Sequence, residues 1–432
     1  MDRQKWQPFL QRWSEEWISA HDPQRDSPLD EAVVRAGWLG FAPASAERIA
    51  AAEVRLGRAL PPSLREFLLV TDGWRDAGCF IYQLAGTAEL AWLADTEDAD
   101  WIEAYDLGDD GLDGEVVDEG AVLRRSLRLS LDGDGAVMLL DPEDVDEHGE
   151  WAGYWLASWS GEGPERHASF YELMFDAYAG FHALKQPAGA TRDHWESVVD
   201  RARDAALAGR IEEPLAEWER ASRFGRERAD RLRFQLLAML GDRSTLPLDH
   251  VLPDRDGWRG FERDPLFHAE LLPLLFAKDP LDGHGGGFAL RHLRESAPEP
   301  VRSVIDEFEA RRREPGFRLS FGNPEFDAAV RDVLASAGAD AVPLAAPAPK
   351  PVEHDRLEAR IIVVPNRPVE VPPLEEEITP PEDIWPRLRD AFRLWRPLSP
   401  DHIAPVALLA HPLLARVLTE ERGRELLGIP RG

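Results

Sequence analysis

The sequence predicts an α+β domain in residues 1–185, with a mixed or antiparallel sheet and packed helices, followed by a mainly α-helical region. Two observations predict this division. Up to residue 185, strand-like segments and one hairpin pattern are interleaved with amphipathic helices. From about residue 190, helical stretches follow one another and are separated by glycine.

A corner between two helices is predicted early in the α+β domain. The first helix begins at Ser45, a suitable N-cap, and ends at Gly57, a suitable C-terminal cap. Its apolar residues share one face: Ile49, Ala52 and Leu56. Pro61 and Pro62 then interrupt the pattern, and Pro62 fits the first turn of a second helix that ends at Gly73. The apolar residues of this second helix also share one side: Leu64, Phe67 and Leu68.

Strand patterns follow the corner. An apolar, aromatic-rich segment at residues 79–86 is one strand, and a tryptophan-rich segment at residues 150–159 is another. The clearest hairpin lies between them. Its first strand alternates three leucines with polar residues: Leu127, Leu129 and Leu131. Residues 132–135, Asp-Gly-Asp-Gly, tolerate the positive φ angles of a turn, and residues 137–140 form the return strand. A closing helix is capped by Ser169.

The rest of the chain is predicted to be helical. Residues 190–340 form a helical region in which Gly209 to Ala221 fit the back half of a tetratricopeptide-like hairpin. One such hairpin is not an array, so a solenoid is not expected. Residues 341–380 are rich in proline and linker-like, with one strand candidate at residues 361–364, and residues 381–432 predict terminal helices.

Negative charge is concentrated in the first domain. The chain of 432 residues has a formal net charge of −30. Residues 1–185 carry 15 Lys and Arg against 37 Asp and Glu, a net charge of −22. Between Asp76 and Leu123 there are 14 acids and no Lys or Arg. Such a surface repels nucleic acid and anionic membranes, and it attracts a basic partner. An acidic surface also serves solubility, which is the alternative interpretation.

The compartment is predicted from three features. Cys79 is the single cysteine, which excludes an internal disulfide framework and a cysteine-based zinc site. The first 17 residues carry charges throughout and lack the apolar segment of a signal peptide. No run approaches the roughly 20 apolar residues of a membrane span. The sequence therefore predicts a soluble cytoplasmic protein.

Tryptophan recurs at every fourth position in the strand-like segment near residue 155. The three residues are Trp151, Trp155 and Trp159. On a strand this spacing places all three on one face, which favours a core position. A tryptophan exposed beside the acidic residues would instead be an interface anchor, because tryptophan is enriched at binding hot spots.

Two patterns resemble known sites but are incomplete. Asp132, Asp134 and Glu143 occupy EF-hand positions, but Val137 stands where the calcium loop requires glycine, so a plain hairpin turn is predicted. The glycine run at residues 282–288 resembles the oxyanion-hole segment of esterases. It predicts a loop, because the chain contains no G-x-S-x-G segment to supply a nucleophile.

Histidine and cysteine do not form a predicted site either. His148 stands beside Glu147 and Glu150, which we interpret as a solvated acidic loop rather than a metal site. Cys79 borders an apolar run without a cationic neighbour to lower its pKa, so it is predicted to be a buried small side chain. The sequence therefore predicts no catalytic residue, no metal site and no cofactor.

The corner and the hairpin carry a resemblance to the SUKH superfamily, the Smi/Knr-type proteins, over residues 1–185. The corner follows the pattern E-x-x-L-G-x-x-L-P-x-x-L-x-x-F-L, and the resemblance continues through the acidic hairpin to the closing helix. The residues that carry it are Glu53, Leu56, Gly57, Leu60, Pro61, Leu64, Phe67, Leu68, Gly73, Trp151, Ser169 and Phe170. They are residues of a core and a turn, so they specify a fold and do not by themselves specify a function.

The resemblance implies a non-catalytic binding role. Bacterial members resemble immunity proteins that neutralise polymorphic toxins, many of which are nucleases, and fungal members are regulatory hubs of cell-wall signalling. A nuclease holds phosphates and is usually basic, which suits an acidic inhibitor. We therefore expect the first domain to bind a basic protein, such as a bacterial toxin domain. The expected contact residues are Asp95, Glu97, Asp98, Asp100, Asp109, Asp110, Asp113, Glu115, Asp141, Glu143, Asp144 and Asp146.

Two other functions are compatible with the sequence. A regulatory or scaffold protein would dock its partners through the helical half and have no toxin target. A hydrolase would use the glycine run near His284. The sequence does not define the oligomeric state.

Overall fold

The computed structural model describes most of the chain. The described residues are 2–105, 119–161, 163–242, 248–253, 258–277, 285–339 and 383–431. The chain divides into two compact units. The first comprises Met1–Ser197 with Arg220–Arg226, and the second comprises Val198–Glu219 with Glu227–Gly432.

Helices and antiparallel strands build the first unit up to residue 185. Its helices are α1 (Arg3–Ala20), α2 (Glu31–Ala36), α3 (Ala46–Leu56), α4 (Pro62–Leu68), α5 (Asp100–Tyr105), α6 (Glu119–Arg125) and α7 (Phe170–Lys185). Its strands are β1 (Trp74–Arg75), β2 (Ile81–Leu84), β3 (Ala91–Trp92), β4 (Leu127–Arg128), β5 (Ser130–Gly133), β6 (Ala136–Val145), β7 (Trp151–Ala157) and β8 (Glu165–His167).

Two sheets share this unit. The smaller has the strand order β1-β2-β5 and the larger has the order β3-β4-β6-β7-β8. Every pairing within them is antiparallel. The predicted fold class, an α+β domain followed by a mainly helical region, is confirmed.

The predicted corner is present, with one boundary moved. The hydroxyl of Ser45 accepts a hydrogen bond from the N–H of Arg48 at 3.3 Å, and Gly57 ends α3 with φ +74°. Helix α4 begins at Pro62, as predicted, because its missing N–H would have no partner in the first turn. The predicted end at Gly73 is wrong, since α4 ends at Leu68. The carboxylate of Asp72 instead accepts a hydrogen bond from the N–H of Thr87 at 2.6 Å and fixes a turn.

The apolar faces of the corner lie in the core. All six predicted face residues are buried: Ile49, Ala52, Leu56, Leu64, Phe67 and Leu68. Helix α1 adds two fully buried tryptophans to the same core. The ring of Trp6 lies 5.3 Å from that of Phe67 and 5.7 Å from that of Phe170, so α1 joins the corner to α7. Aromatic pairs at these separations stabilise a core beyond simple burial.

Strand β6 is buried on both faces. Met138 and Leu140 face the main core, whereas Val137 and Leu139 face a second apolar cluster. That second cluster includes residues of α5 and α6, such as Ile102. Alternation along a strand explains the division, because successive side chains point to opposite faces. The described helices α5 and α6 therefore cover one face of the larger sheet.

The predicted hairpin is present but its first strand divides between the sheets. Leu127 pairs with Leu140 in the larger sheet. Ser130 instead pairs with Leu84 of β2 in the smaller sheet. The return strand extends to Val145, five residues beyond the predicted end at residue 140. The hairpin thus links the two sheets, which alternation of leucines alone does not predict.

The rest of the chain contains helices and no strand within the described residues. These helices are α8 (Ala190–Leu207), α9 (Glu212–Arg223), α10 (Glu227–Met239), α11 (Leu272–Leu275), α12 (Gly285–Ser296), α13 (Glu299–Arg312), α14 (Pro324–Ser336), α15 (Ile384–Phe392), α16 (Pro412–Val417) and α17 (Glu420–Leu427). In the second unit, Glu270 and His402 are fully buried with 2.7 Å between Oε1 and Nε2. The side-chain oxygen of Gln235 accepts a hydrogen bond from the N–H of Ile403 at 2.8 Å.

Some predicted segments lie outside the described residues. They include the linker-like segment at 341–380 with its strand candidate, and His284 of the glycine run. Gly285 to Phe288 are described, and they begin α12. The prediction of a loop there is wrong for these residues, because tertiary context overrides the low helix propensity of glycine.

Candidate protein-interaction surface

The turn of the hairpin presents two acidic side chains. Asp132, near the end of β5, and Asp134, just after that strand, are both exposed. Gly135 has φ +59°, a backbone conformation that glycine adopts without a Cβ clash. The N–H of Asp134 donates to the carbonyl oxygen of Phe80 at 2.8 Å, which holds the turn against the start of β2. Two carboxylates therefore stand at one end of the sheets in a fixed turn.

Exposed aromatic rings lie beside this turn. Trp159 is 47% exposed and Tyr82 is 45% exposed. The ring of Trp159 lies 4.9 Å from that of Phe80 and 5.5 Å from that of Trp155. The N–H of the preceding residue, Ser158, donates a hydrogen bond to the carbonyl oxygen of Gly135 at 2.9 Å. This bond keeps Trp159 next to the acidic turn.

The pKa of Tyr82 shows that this ring lies close to several acidic side chains. The pKa of Tyr82 is raised, because partial burial and the charges of Asp134, Asp132 and Asp76 all disfavour the phenolate. We call Tyr82, Trp159, Asp132 and Asp134 the aromatic–acidic patch.

The tryptophan prediction is correct for part of the series. Trp151 is buried and Trp155 is half-buried against the same core. The core position predicted for Trp159 is wrong, because β7 ends at Ala157 and the chain turns away from the sheet. The signal in the sequence was the Ser-Trp-Ser-Gly stretch at residues 158–161, whose composition favours a turn over a strand.

The predicted contact residues from Asp95 to the first residue of α5 divide into two groups. Asp95 and Asp100 are exposed. Glu97 and Asp98 hold the buried Arg128, whose Nη1 lies 3.2 Å and 2.5 Å from their carboxylate oxygens. Glu97 is nevertheless mostly exposed, and Asp98 is half-buried. These two acids neutralise a cation of the sheet, which reduces the charge they offer a partner.

The predicted contact residues within β6 differ more sharply. Asp141 is fully buried and binds Arg125 through two hydrogen bonds of 2.8 and 2.6 Å. It is therefore not accessible to a partner, and its place on the expected contact surface is wrong. Sequence reasoning missed this because a charged residue in an acidic stretch is usually solvated. Glu143 is exposed and lies 3.6 Å from Arg125.

Asp144 and Asp146 also have internal roles. Asp144 accepts two hydrogen bonds from Arg166, at 2.6 and 2.9 Å, which hold its pKa below the usual range. Asp146 is exposed, and its carboxylate accepts the N–H groups of His148 at 2.8 Å and Glu150 at 2.9 Å. The remaining predicted contact residues lie outside the described residues: Asp109, Asp110, Asp113 and Glu115.

Cys79 lacks the properties of a nucleophile. Burial raises the pKa of its thiol to about 11, so the thiolate is scarce at neutral pH. The thiol lines a cavity of about 510 Å³ that Asp76, His21 and Lys185 also line. Asp76 has φ +51°, and burial raises its pKa to about 6. The cavity is therefore lined by a buried carboxyl group on a left-handed backbone and by the ammonium group of Lys185.

The corner motif has a structural role in this unit. The carboxylate of Glu53 accepts the N–H of Leu60 at 3.0 Å and lies 2.5 Å from Nη1 of Arg65. Residues 43–176 match the model of the SMI1 / KNR4 family (SUKH-1). The resemblance predicted from the sequence is thereby confirmed over that range. A SUKH-type domain fits a module that binds proteins, immunity proteins among them.

The other comparisons add no relative. The chain matches no curated protein and no solved structure. Among the described residues, no helix is both long enough and apolar enough to cross a membrane.

Proposed function

We propose that this protein is a non-catalytic binding module of the immunity type. Its acidic first domain binds and neutralises a basic protein. The partner we favour is a toxin domain with nuclease activity. The SUKH match over residues 43–176 supports a binding role. The net charge of −22 over residues 1–185 supports a basic partner, because opposite charges steer encounter.

The aromatic–acidic patch is the observation that carries this proposal. A partly exposed tryptophan supplies a large apolar contact, and acids beside it pair with Lys and Arg at the rim. Trp159 and Tyr82 occupy this role next to Asp132 and Asp134. The ring of Trp159 packs on the rings of Phe80 and Trp155, so this side chain loses little conformational entropy on binding.

Further exposed acids extend the proposed surface. Among the described residues they are Asp95, Glu97, Asp100, Glu143 and Asp146. The segment that contains Asp109, Asp110 and Asp113 lies outside the described residues, and we include it in the proposed surface because of its charge in the sequence. The buried Asp141 is not part of it. A basic nuclease cleft covered by these carboxylates would lose access to phosphates, because the acids occupy the positions where the substrate's negative charge binds.

Affinity capture from the native host tests the proposal. The full chain serves as bait, and captured proteins are identified by mass spectrometry. We expect a basic protein that raised salt releases, because screening weakens charge steering. A partner that is acidic or insensitive to salt would contradict the charge argument and favour the scaffold function of the helical half.

Matched variants then locate the surface. Asp132→Lys with Asp134→Lys should weaken binding about tenfold or more, since like charges at an interface are unfavourable. Glu295→Lys with Glu307→Lys makes the same change of net charge at two exposed residues of the second unit. Equal weakening by both pairs would show that net charge, and not the patch, governs binding.

The segment outside the described residues has its own test. Asp109, Asp110 and Asp113 are replaced together by lysine, and the circular dichroism spectrum checks folding. We expect weaker binding with unchanged folding. Unchanged affinity for the captured partner would remove this segment from the proposed surface.

A further inference from the structure

Three potential metal ligands meet between β8 and α7. Glu165 and His167 stand two residues apart on β8, so their side chains share one face of the strand. Asp176 lies on α7. One ligand atom from each of the three residues lies within 4.8 Å of the others. Sequence reasoning missed this cluster, because its members do not follow a spacing typical of a single-element metal site.

His167 is the member that points to a ligand. Its side chain is only 7% exposed, and its buried Nε2 has no hydrogen-bond partner among the described residues. A buried polar atom without a partner is costly, and such atoms are rare in folded proteins. Nε2 faces the cluster, since it lies 4.0 Å from Oε1 of Glu165. A ligand at this point would satisfy the orphaned nitrogen.

We propose that Glu165, His167 and Asp176 bind one divalent transition-metal ion of the zinc class. An imidazole nitrogen favours zinc-class ions over Mg²⁺ and Ca²⁺, which prefer oxygen ligands alone. Zinc binds nitrogen and carboxylate oxygen at about 2.0–2.2 Å. The three side chains would therefore have to move only slightly toward one another to bind the ion. Glu165 is 62% exposed and free to make most of that movement.

The charge of the site suits a divalent cation. The two carboxylates of the cluster, from Glu165 and Asp176, would balance the two positive charges of the ion. Arg223 now holds Asp176, with Nε 3.0 Å from Oδ1 and a shorter contact from Nη2. The guanidinium therefore competes with the ion for Asp176, because its donors already occupy that carboxylate.

The surroundings of the site strengthen the interaction. The three ligands line a cavity of about 230 Å³ whose other walls include Met138, Trp155 and Leu173. Apolar walls lower the local dielectric constant, which increases the attraction between carboxylate and cation. The bound ion would connect β8 to α7 and stabilise the fold, because it binds the folded arrangement only.

Titration calorimetry with Zn²⁺ tests the proposal on the full chain after treatment with a chelator. Excess Mg²⁺ in the buffer occupies weak all-oxygen sites on this acidic protein. We expect one site, a raised thermal midpoint, and visible absorption bands with Co²⁺ that report nitrogen and oxygen ligands. Absence of a Mg²⁺-resistant site would overturn the proposal.

Two ligand variants and one matched control assign the site. Glu165→Gln and His167→Gln should each weaken Zn²⁺ binding about tenfold or more. Glu165→Gln keeps the assignment testable if His167→Gln fails to fold, because Glu165 is exposed. His148→Gln is the control, since this exposed histidine lies 3.7 Å from Glu147 and resembles a surface site. Equal loss in the control and the ligand variants would contradict the assignment.

A third variant tests the competition at Asp176. Arg223→Gln removes the guanidinium that holds this carboxylate and should tighten Zn²⁺ binding severalfold. Weaker binding in this variant would contradict the geometry, because it would show that Arg223 supports the site rather than competing for it.

Discussion

The carboxylate of Glu53 accepts a hydrogen bond from the backbone N–H of Leu60 at 3.0 Å. The bond spans the end of α3 and the start of the turn before α4. Pro61 and Pro62 have no N–H to donate, so Leu60 is the last donor before the second helix. Arg65 holds the same carboxylate from one turn inside α4, with Nη1 2.5 Å from Oε1. One side chain therefore fixes the angle of the corner from both sides.

Replacing Glu53 should destabilise the first unit without altering its charged surface elsewhere. Glu53→Ala leaves the N–H of Leu60 without its partner, and we expect a loss of about 1–3 kcal/mol in the free energy of unfolding. Glu53→Gln keeps an acceptor oxygen and should lose less. Urea unfolding measures both. Equal losses would show that the charge on Arg65, and not the bond to Leu60, accounts for the stabilisation.

Local patterns in the sequence predict the corner well. Ser45, Gly57 and Pro62 act through their own backbone geometry, so their roles are readable from a few neighbouring residues. The buried faces of α3 and α4 follow from helical periodicity for the same reason. The end of α4 cannot be predicted in this way, because it depends on Asp72, whose hydrogen-bond partner Thr87 lies 15 residues away.

The candidate surface is less predictable for the same physical reason. An aspartate in an acidic stretch looks solvated, yet Asp141 is buried by an arginine 16 residues earlier in the chain. Trp159 looked like a core residue, yet β7 ends before it. The Glu165, His167 and Asp176 cluster joins two elements. Pairings between elements are set by the fold, and single-sequence periodicity does not report them.

Two aspartates of β6 that pair with arginines should contribute differently to stability. Asp141 is fully buried beneath Arg125, whereas Asp144 and Arg166 are partly exposed. Asp141→Asn removes the buried charge that accepts two hydrogen bonds from Arg125, and we expect a loss of about 1–3 kcal/mol. Asp144→Asn should cost about 0–1 kcal/mol, because water screens its pair. Comparable losses in chemical unfolding would contradict the assignment of these different environments.

The Asp76 carboxyl should make the protein less stable as the pH rises. Burial raises its pKa to about 6 from the ordinary value of 3.8, so the folded state binds this proton more tightly than the unfolded chain. The resulting stabilisation is complete below about pH 4 and is lost as the pH rises through 6. Asp76→Asn should therefore stabilise the protein at pH 7.5, by about 1–3 kcal/mol, and change little at pH 4.

Asparagine also suits the backbone at this position. Asp76 has φ +51°, and Asn tolerates the left-handed region as well as Asp does. Thermal unfolding at the two pH values measures the difference. Asp134→Asn is the control, because this exposed carboxyl lies in the hairpin turn. The same gain at pH 4 and pH 7.5 would assign the effect to the backbone and not to the proton.

A buried carboxylate connects α1 to α7 and should govern stability on the acid side. Glu16 accepts a hydrogen bond from the hydroxyl of Tyr178 and lies 3.0 Å from Nε2 of His182. Burial alone would raise the pKa of Glu16, but the hydrogen bonds from His182, Tyr178 and Thr191 outweigh it, so the pKa lies below its ordinary value of 4.5. Sequence periodicity does not reveal this cluster, because Glu16 lies more than 160 residues before Tyr178 and His182.

The sign of the pH effect follows from that lowered pKa. The stabilisation by ionised Glu16 is present above pH 4.5 and is lost as the pH falls through the folded-state pKa. Glu16→Gln should therefore reduce the free energy of unfolding at pH 7 by about 1–3 kcal/mol and flatten its decline below pH 4.5.

Tyr178→Phe should shift that decline in stability to higher pH, because the Glu16 carboxylate loses a hydrogen-bond donor. Urea unfolding from pH 3 to pH 7 measures both, with the exposed Glu15→Gln as control. An acid decline equally steep in Glu16→Gln and the control would assign acid unfolding to other carboxylates.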